Sequence, residues 1–446
     1  MYFQKASATA VVLTVIGLCI FVSPESLRAQ APKATSFDKD RGHDMIAQIK
    51  GDLKKNYYDP AFNGMDVEAR LKIADEKIKE ATSIGHIFGI IAQAVMDLDD
   101  SHTFFLPPGR SARIEYGWEM QIIGDKCLVT AIKPGSDAEA KGLKEGDEIW
   151  TINGFGPTRE NFWKMEYYFN TLRPQSGMQL TVIRPSGKHE DLVVMAKITE
   201  RKRVMDLTSG GDIWDLIRDE ENSAHLSRHR YIEVGDELFI WKMPQFDLDE
   251  ERVDSMMGKV RKRKSLILDL RGNHGGYVKT LERLAGHFFD HDVKIAERKG
   301  RKEMKPQMAK TRGNDSFKGQ LVVLVDSRSA SAAEVFARLV QLEHRGTVLG
   351  DRSSGAVMES RYFPHKSGVD VVAFWGVSVT DADVIMGDGK SLEKIGITAD
   401  ETLLPTVADL AAKRDPVLAR AAELVGVKLD AAAAGSMFPI EWRKQY

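Results

Sequence analysis

Apolar positions divide the chain into stretches of different period. Between residues 38 and 98 they recur at helical spacing. Met45, Ile46, Ile49, Leu53 and Tyr57 form one stripe, stopped by Tyr58-Asp59-Pro60, and Ile84, Ile87, Phe88, Ile91, Val95 and Leu98 form a second. The second stripe runs into Asp99-Asp100-Ser101-His102-Thr103, and Pro107-Pro108-Gly109 then breaks the chain. Over 113–198 the pattern becomes short alternating strands, with turns at Lys133-Pro134-Gly135-Ser136, at Gly142–Asp147 and at the hairpin signal Asn153-Gly154. Ala138–Lys141 fits a turn or two of helix closed by Gly142. Residues 199–235 are mixed in charge and poorly patterned, a connector with a short helix at Ile213–Arg218. From 236 onward strand-like apolar runs, Leu266–Leu268, Leu321–Val325 and Thr347–Leu349, alternate with helices at Leu281–Phe289 and Ala332–Leu342. That alternation predicts a sheet covered by helices. The tail, Leu404–Val425, reads as helix interrupted at Pro416.

One long apolar run, residues 6–22, follows Lys5 and precedes the small–x–small site Ala29-Gln30-Ala31. It predicts a signal peptide cut after Ala31, the alternative being a retained membrane anchor. Leu18 ahead of Cys19 excludes a lipoprotein signal. The expected location is exported, periplasmic or extracellular, with no membrane span after cleavage. The rest of the composition removes classes. Lys+Arg number 63 against 65 Asp+Glu, a net charge of −2, so the basic excess that a nucleic-acid binder needs is absent. Hydrophobic residues make up 43% of the 446, which excludes wholesale disorder and predicts more than one core. Cys19 and Cys127 exclude a disulfide scaffold and a Cys-rich zinc module.

Two loops carry candidate chemistry. Asp269-Leu270-Arg271-Gly272-Asn273-His274-Gly275-Gly276 follows a buried strand, and its glycines let backbone N–H groups approach an anion. It has neither the Rossmann spacing nor the Gly-Lys-Ser/Thr ending of a Walker loop. Asp326-Ser327-Arg328-Ser329-Ala330-Ser331-Ala332-Ala333-Glu334 opens a helix, where the positive dipole end favours a developing oxyanion. By itself Ser331-x-x-Glu334 is also a capping box, which needs no chemistry. His287 and His291 stand four apart on a helix, but no third metal partner is evident, so they read as a solvated or capping pair.

The run Pro134-Gly135-Ser136-Asp137-Ala138, Gly142-Leu143, Gly146-Asp147-Glu148-Ile149 and Asn153-Gly154 resembles a PDZ domain. The two loops together resemble the C-terminal processing, or tail-specific, serine peptidase family. The resemblance implies a multidomain α+β fold: an N-terminal helical region, a β-rich PDZ domain, and an α/β peptidase core like the ClpP/crotonase fold. The expected divisions are signal peptide 1–31, helical domain 32–110, PDZ domain 113–198, connector 199–235, core 236–405 and helical tail 406–446.

By the same resemblance Ser331 matches the nucleophile. The oxyanion hole would come from the N–H of Ala332 and one from the His274–Gly276 turn, Gly275 or Gly276. The best-known branch activates its serine with a lysine, but Ala356 stands at that position here, which rules out a Ser–Lys dyad. Asp99–Thr103 resembles instead the tricorn-core branch, which implies His102 as general base, Ser101 orienting it and Glu393 completing the relay; His274 is the rival base. Gly117, Trp118, Glu119 and Met120 match the peptide-binding loop of the PDZ domain. There Glu119 would repel a substrate carboxylate unless turned outward, and Trp118 is a pocket wall or core. The PDZ unit then either captures C-termini or gates the site. The expected function is an exported serine endopeptidase that cuts polypeptides through an acyl-enzyme, without metal or cofactor. The alternative is a catalytically inactive binding protein for a peptide or apolar ligand on the same core. The sequence carries no signal of an oligomeric state.

Overall fold

The structure, a computed structural model, describes residues 33–109, 112–200, 224–367 and 373–443. The expected signal peptide and the connector helix Ile213–Arg218 lie outside the described residues.

The two N-terminal stripes become three helices, Ser36–Asn56, Val67–Lys79 and Ile84–Met96. Each starts on a side-chain cap, Thr35, Asp66 and Ser83, whose oxygen accepts an N–H of the first turn. Their apolar faces close on one another and on Phe105, Trp375, Val377 and Val379 of a second layer. That layer is an antiparallel sheet. Its central strand, Ala373–Met386, pairs with Phe104–Leu106, Met358–Ser367 and Val293–Gly300, and Gln307–Ala309 lies outside the last of these. The alternation read from 236 onward did not reveal this sheet.

Residues 118–195 form a five-stranded antiparallel sheet in the order Trp118–Ile123, Lys126–Ile132, Glu148–Ile152, Gly177–Ile183, His189–Met195. A two-stranded stem, Ala112–Glu115 against Lys197–Glu200, closes it off. The turn chemistry follows from residue type. Asn153 and Gly154 both have positive φ, as the hairpin turn requires, and Gly142 at φ 76° follows the short helix Asp137–Ala140. At Gly117, φ 76°, a Cβ would lie 2.5 Å from Cβ of Ser136.

The remaining sheet has the order Glu401–Thr402, Thr347–Gly350, Gln320–Val325, Ser265–Asp269, Leu238–Lys242, Arg230–Val234, parallel except for the last pair. Its central strands are buried on both faces, under the helices Glu250–Val260, Val278–Ala285 and Ala332–Leu342 on one side. The tail helix Pro416–Leu424 covers the other, with Ala431–Met437 packed on it. Parallel strands covered on both faces account for the uninterrupted apolar runs Leu266–Leu268 and Leu321–Val325. Pro416, the expected interruption, is instead the first residue of a helix capped by Asp415. The helix placed at Leu281–Phe289 starts earlier and ends at Ala285, so His287 and His291 do not share a helix face. His287 is buried against Asp254 and His291 is exposed beside Asp290.

Candidate active site

Both loops leave the C-terminal ends of adjacent parallel strands, the usual place for a site in such a sheet. They are stitched together. Asp326 Oδ1 accepts from the N–H of Gly272 at 2.9 Å, Ser329 Oγ donates to the carbonyl of Leu270 at 2.8 Å, and the N–H of Ala330 donates to that of Asn273 at 2.9 Å. Arg271 forms paired bonds to Asp269 behind it and to Asp415 of the tail. Burial pushes Asp269 up, but the charges of Arg271 and Lys242 outweigh it and hold the carboxyl well below its usual range.

Ser331 stands at the entry to the helix Ala332–Leu342 with φ 55° and ψ −122°. A non-glycine residue there costs about 1–3 kcal/mol, so the surroundings must impose it. They do so through its N–H, which reaches the carbonyl of Ala356 at 2.8 Å and Oε2 of Glu334 at 3.0 Å. Glu334 is buried and gathers four donors: the N–H groups of Ser331, Gly355 and Ala356 and the hydroxyl of Ser353. Burial pushes it up to about 7 in spite of them. The capping-box reading therefore understates Glu334, which ties the serine turn to the loop 353–356.

The next N–H along that loop, Val357, donates to Oε2 of Glu393 at 2.9 Å. Glu393 also receives the Ser101 N–H and hydroxyl, each at 2.8 Å, and Ser101 Oγ lies 2.7 Å from Nδ1 of His102. Because the hydroxyl proton goes to Glu393, Ser101 Oγ accepts from Nδ1–H, which leaves Nε2 as the free, basic nitrogen. The structure thus brings together Ser101, His102 and Glu393, nearly 300 residues apart in sequence. Among the described residues no hydrogen bond joins His102 to Ser331 Oγ; the link between them is the segment Ala356-Val357. Among the described residues His274 makes no hydrogen bond to any of these groups.

Sequence reasoning missed Asp100. Its buried carboxylate accepts from the N–H groups of His102 and Thr103, from the Thr380 hydroxyl and from the Tyr57 hydroxyl. It therefore fixes the loop bearing His102 to the N-terminal helices and to the strand Ala373–Met386. The signal lay in the motif itself, since an Asp two residues before the histidine can cap its N–H.

Burial pushes His102 down to about 4, opposed by the nearby charge of Asp100. The imidazole is therefore neutral, and able to act as a base, well below the ordinary histidine value of 6.5. The expected result is a kcat/KM profile flat through pH 6.5 whose acid limb has its half-point near about 4. A limb centred on the ordinary value would mean that another group carries the proton. The same depression makes stability from this group complete above its unfolded value and progressively lost as pH falls toward its folded one.

The expected oxyanion donors differ in what their N–H groups meet. The N–H of Gly275 is taken by Asn273 Oδ1 at 2.8 Å. The N–H groups of Gly276 and Ala332 have no acceptor among the described residues. Gly275 serves differently: a Cβ there would come within 2.6 Å of the Ser331 Cβ, so the glycine leaves room for the serine. Cys127 is buried, and its thiol is pushed well up by that burial.

The five-stranded unit docks directly on the serine loop. Arg328 donates to the carbonyl of Met120 at 2.7 Å and to Glu166 at 2.6 Å, Ser327 Oγ donates to the carbonyl of Ile122, and Gln121 donates to Asp326 at 2.7 Å. Arg159 and the N–H of Gly124 both reach Asp351. Arg328 also lies 3.9 Å from Glu119, so a cation of the core faces the carboxylate that sequence reading treated as repulsive. Trp118 is both things expected of it, packed in the unit's core and lining a cavity of about 380 Å³.

Comparison with known proteins finds relatives over most of the chain. The chain is 24% identical over 384 residues to a carboxyl-terminal-processing protease of Picosynechococcus sp., covering 81% of this chain and 83% of that one. It is 23% identical over 320 residues to a tail-specific protease of Haemophilus influenzae, covering 68% of this chain but 43% of the relative's length. Among solved structures, mature CPAF superposes with a TM-score of 0.62 at 15% identity, over 84% of this chain and 95% of that one. A photosystem II D1 C-terminal processing protease does so at 0.50 and 20%, over 91% and 100%. Residues 240–403, the parallel sheet with both loops, match the profile of Peptidase family S41. Over that core the chain is similar to peptidase family S41, and the relatives named above are processing and tail-specific proteases.

Proposed function

We propose that the chain is an exported endopeptidase that cuts polypeptides through an acyl-enzyme on Ser331, with His102 as general base. The observation that carries this reading is the hydrogen-bonded series Glu393–Ser101–His102, whose polarity leaves Nε2 free to accept a proton. His102 takes the Ser331 proton as Oγ attacks the scissile carbonyl, and the N–H groups of Gly276 and Ala332 receive the developing oxyanion. The imidazolium then returns the proton to the leaving amine. Water, activated by the same ring, releases the acyl group. The serine–histidine hydrogen bond forms on substrate binding, a tightening common in such sites. Residues 113–198 act as a PDZ domain that receives polypeptide C-termini, with Glu119 neutralised by Arg328. The core is of the ClpP/crotonase type, and residues 1–31 direct export.

A fluorophosphonate probe tests the reading. Purified wild type is expected to be labelled, and folded Ser331→Ala and His102→Ala variants are not. Wild type that labels no better than Ser331→Ala favours the inactive binding protein instead. N-terminal sequencing of the exported protein, expected to begin at Pro32, tests the leader.

A further inference from the structure

The expected peptide-binding loop borders the cavity of about 380 Å³, but residues remote from it in sequence wall that cavity too. Beside Gly117, Trp118, Met165 and Phe169 stand Trp442 and Arg443 of the C-terminal segment. That segment is held in place rather than lying there by chance. Arg228 makes a two-pronged pair with Glu441, both bonds 2.7 Å, and His225 lies 3.2 Å from the same carboxylate. Arg230 donates to the carbonyl of Pro439 at 2.9 Å and covers the ring of Phe438.

The neighbouring strand explains why such a wall matters. A peptide that adds as a strand needs a free edge with open carbonyls. Trp118–Ile123 is the edge of its sheet, yet its carbonyls at Met120 and Ile122 already accept from Arg328 and Ser327. The loop end of the strand, over 116–120, opens into the cavity, so the last residues of a peptide enter there without the usual length of main-chain pairing. Surface lost along the strand must come from elsewhere. The charges suit a terminal carboxylate. Each acid of the lining has a cation beside it: Glu115 is paired by Lys133, Glu166 by Arg328, Glu441 by Arg228, and Glu119 lies 3.9 Å from Arg328. The indole N–H of Trp118, whose side chain is 8% exposed, has no acceptor among the described residues.

We propose that Glu441–Arg443, anchored by Arg228 and Arg230, is the third wall of a composite pocket for the carboxy-terminal residues of an apolar polypeptide end. The inference rests on the PDZ reading above and adds to it a specificity segment supplied by the chain's own tail.

The test uses the full chain carrying Ser331→Ala, to prevent cleavage, and a fluorescein-labelled decapeptide ending in Leu-Val with a free carboxylate. Fluorescence anisotropy is expected to show binding, lost when the same peptide is amidated. Trp442→Ala and Arg228→Ala are each expected to raise Kd about tenfold. In the active background they are expected to raise KM for the same peptide with kcat unchanged, and to leave fluorophosphonate labelling at the wild-type rate. Equal affinity in both variants overturns the inference while leaving the PDZ reading standing. Tighter binding overturns it in favour of a tail that obstructs the groove. No binding by the parent chain overturns both readings, and none of these outcomes touches the assignment of Ser331.

Discussion

Ser331→Ala and His102→Ala are each expected to lower kcat on a peptide substrate by a factor on the order of 10⁶, and the double variant to lose no more than either alone. Nucleophile and base act as one unit: without the base the hydroxyl is not activated, and without the hydroxyl the base has nothing to deprotonate. Glu393→Gln keeps the shape but removes the charge that orients Ser101 and, through it, the ring. Its loss is expected to be smaller, on the order of 10⁴. The order matters, because a merely structural Glu393 would lower kcat only in proportion to lost folded protein, whereas a relay residue lowers it in every folded molecule. Additive losses in the Ser331/His102 double variant would show that the two residues act separately, and would remove His102 from the mechanism.

These residues were legible for one reason and their assembly was hidden for another. A serine at a helix entry after an apolar strand, a glycine loop after a neighbouring strand and a histidine after a helical stripe all leave local marks. The contacts joining them do not. Phe104 pairs with Ser378, and the strand that makes this pairing, Ala373–Met386, alternates buried and half-buried positions toward its end, without the full apolar run that marks a central parallel strand. The sheet it organises therefore left little trace in the pattern. Glu334 shows a related limit. Three residues from Ser331 it fits a capping box, and nothing local reveals that Ser353, Gly355 and Ala356 converge on the same carboxylate. Glu119 shows the opposite error. Read alone it is a repulsive charge in a binding loop, until Arg328, far along the chain, faces it. Local chemistry marked the parts, and non-local pairing set their contacts.

Arg271 carries the second large expectation, this time on stability. Its side chain bridges two carboxylates, Asp269 at the end of the central strand, 1% exposed, and Asp415 at the start of the tail helix. Removing the cation leaves Asp269 charged with Lys242, 3.2 Å away, as its remaining ion-pair partner among the described residues, and severs the tie between core and tail. Breaking such a buried pair from one side typically costs about 3–5 kcal/mol. Arg271→Ala is expected to lose stability on that scale, and Arg271→Lys most of it, because an ammonium cannot make both two-pronged pairs. The loss should be local first. Hydrogen exchange of the amides in Pro416–Leu424 is expected to speed up under conditions where those of Gln320–Val325 remain protected, since the tail is held on one face while the central strand is covered on both. Activity is expected to fall with it, because Arg271 opens the loop that carries Gly276, the proposed oxyanion donor. The pH dependence has a definite sign. Asp269 is held well below its usual range, so its contribution to stability is present above the ordinary carboxylate value and is lost as pH falls toward the depressed one. Arg271→Ala should therefore flatten the acid side of the stability curve. Unchanged exchange in the tail together with an unchanged acid slope would mean that the four bonds around Arg271 add nothing beyond the apolar packing beneath them.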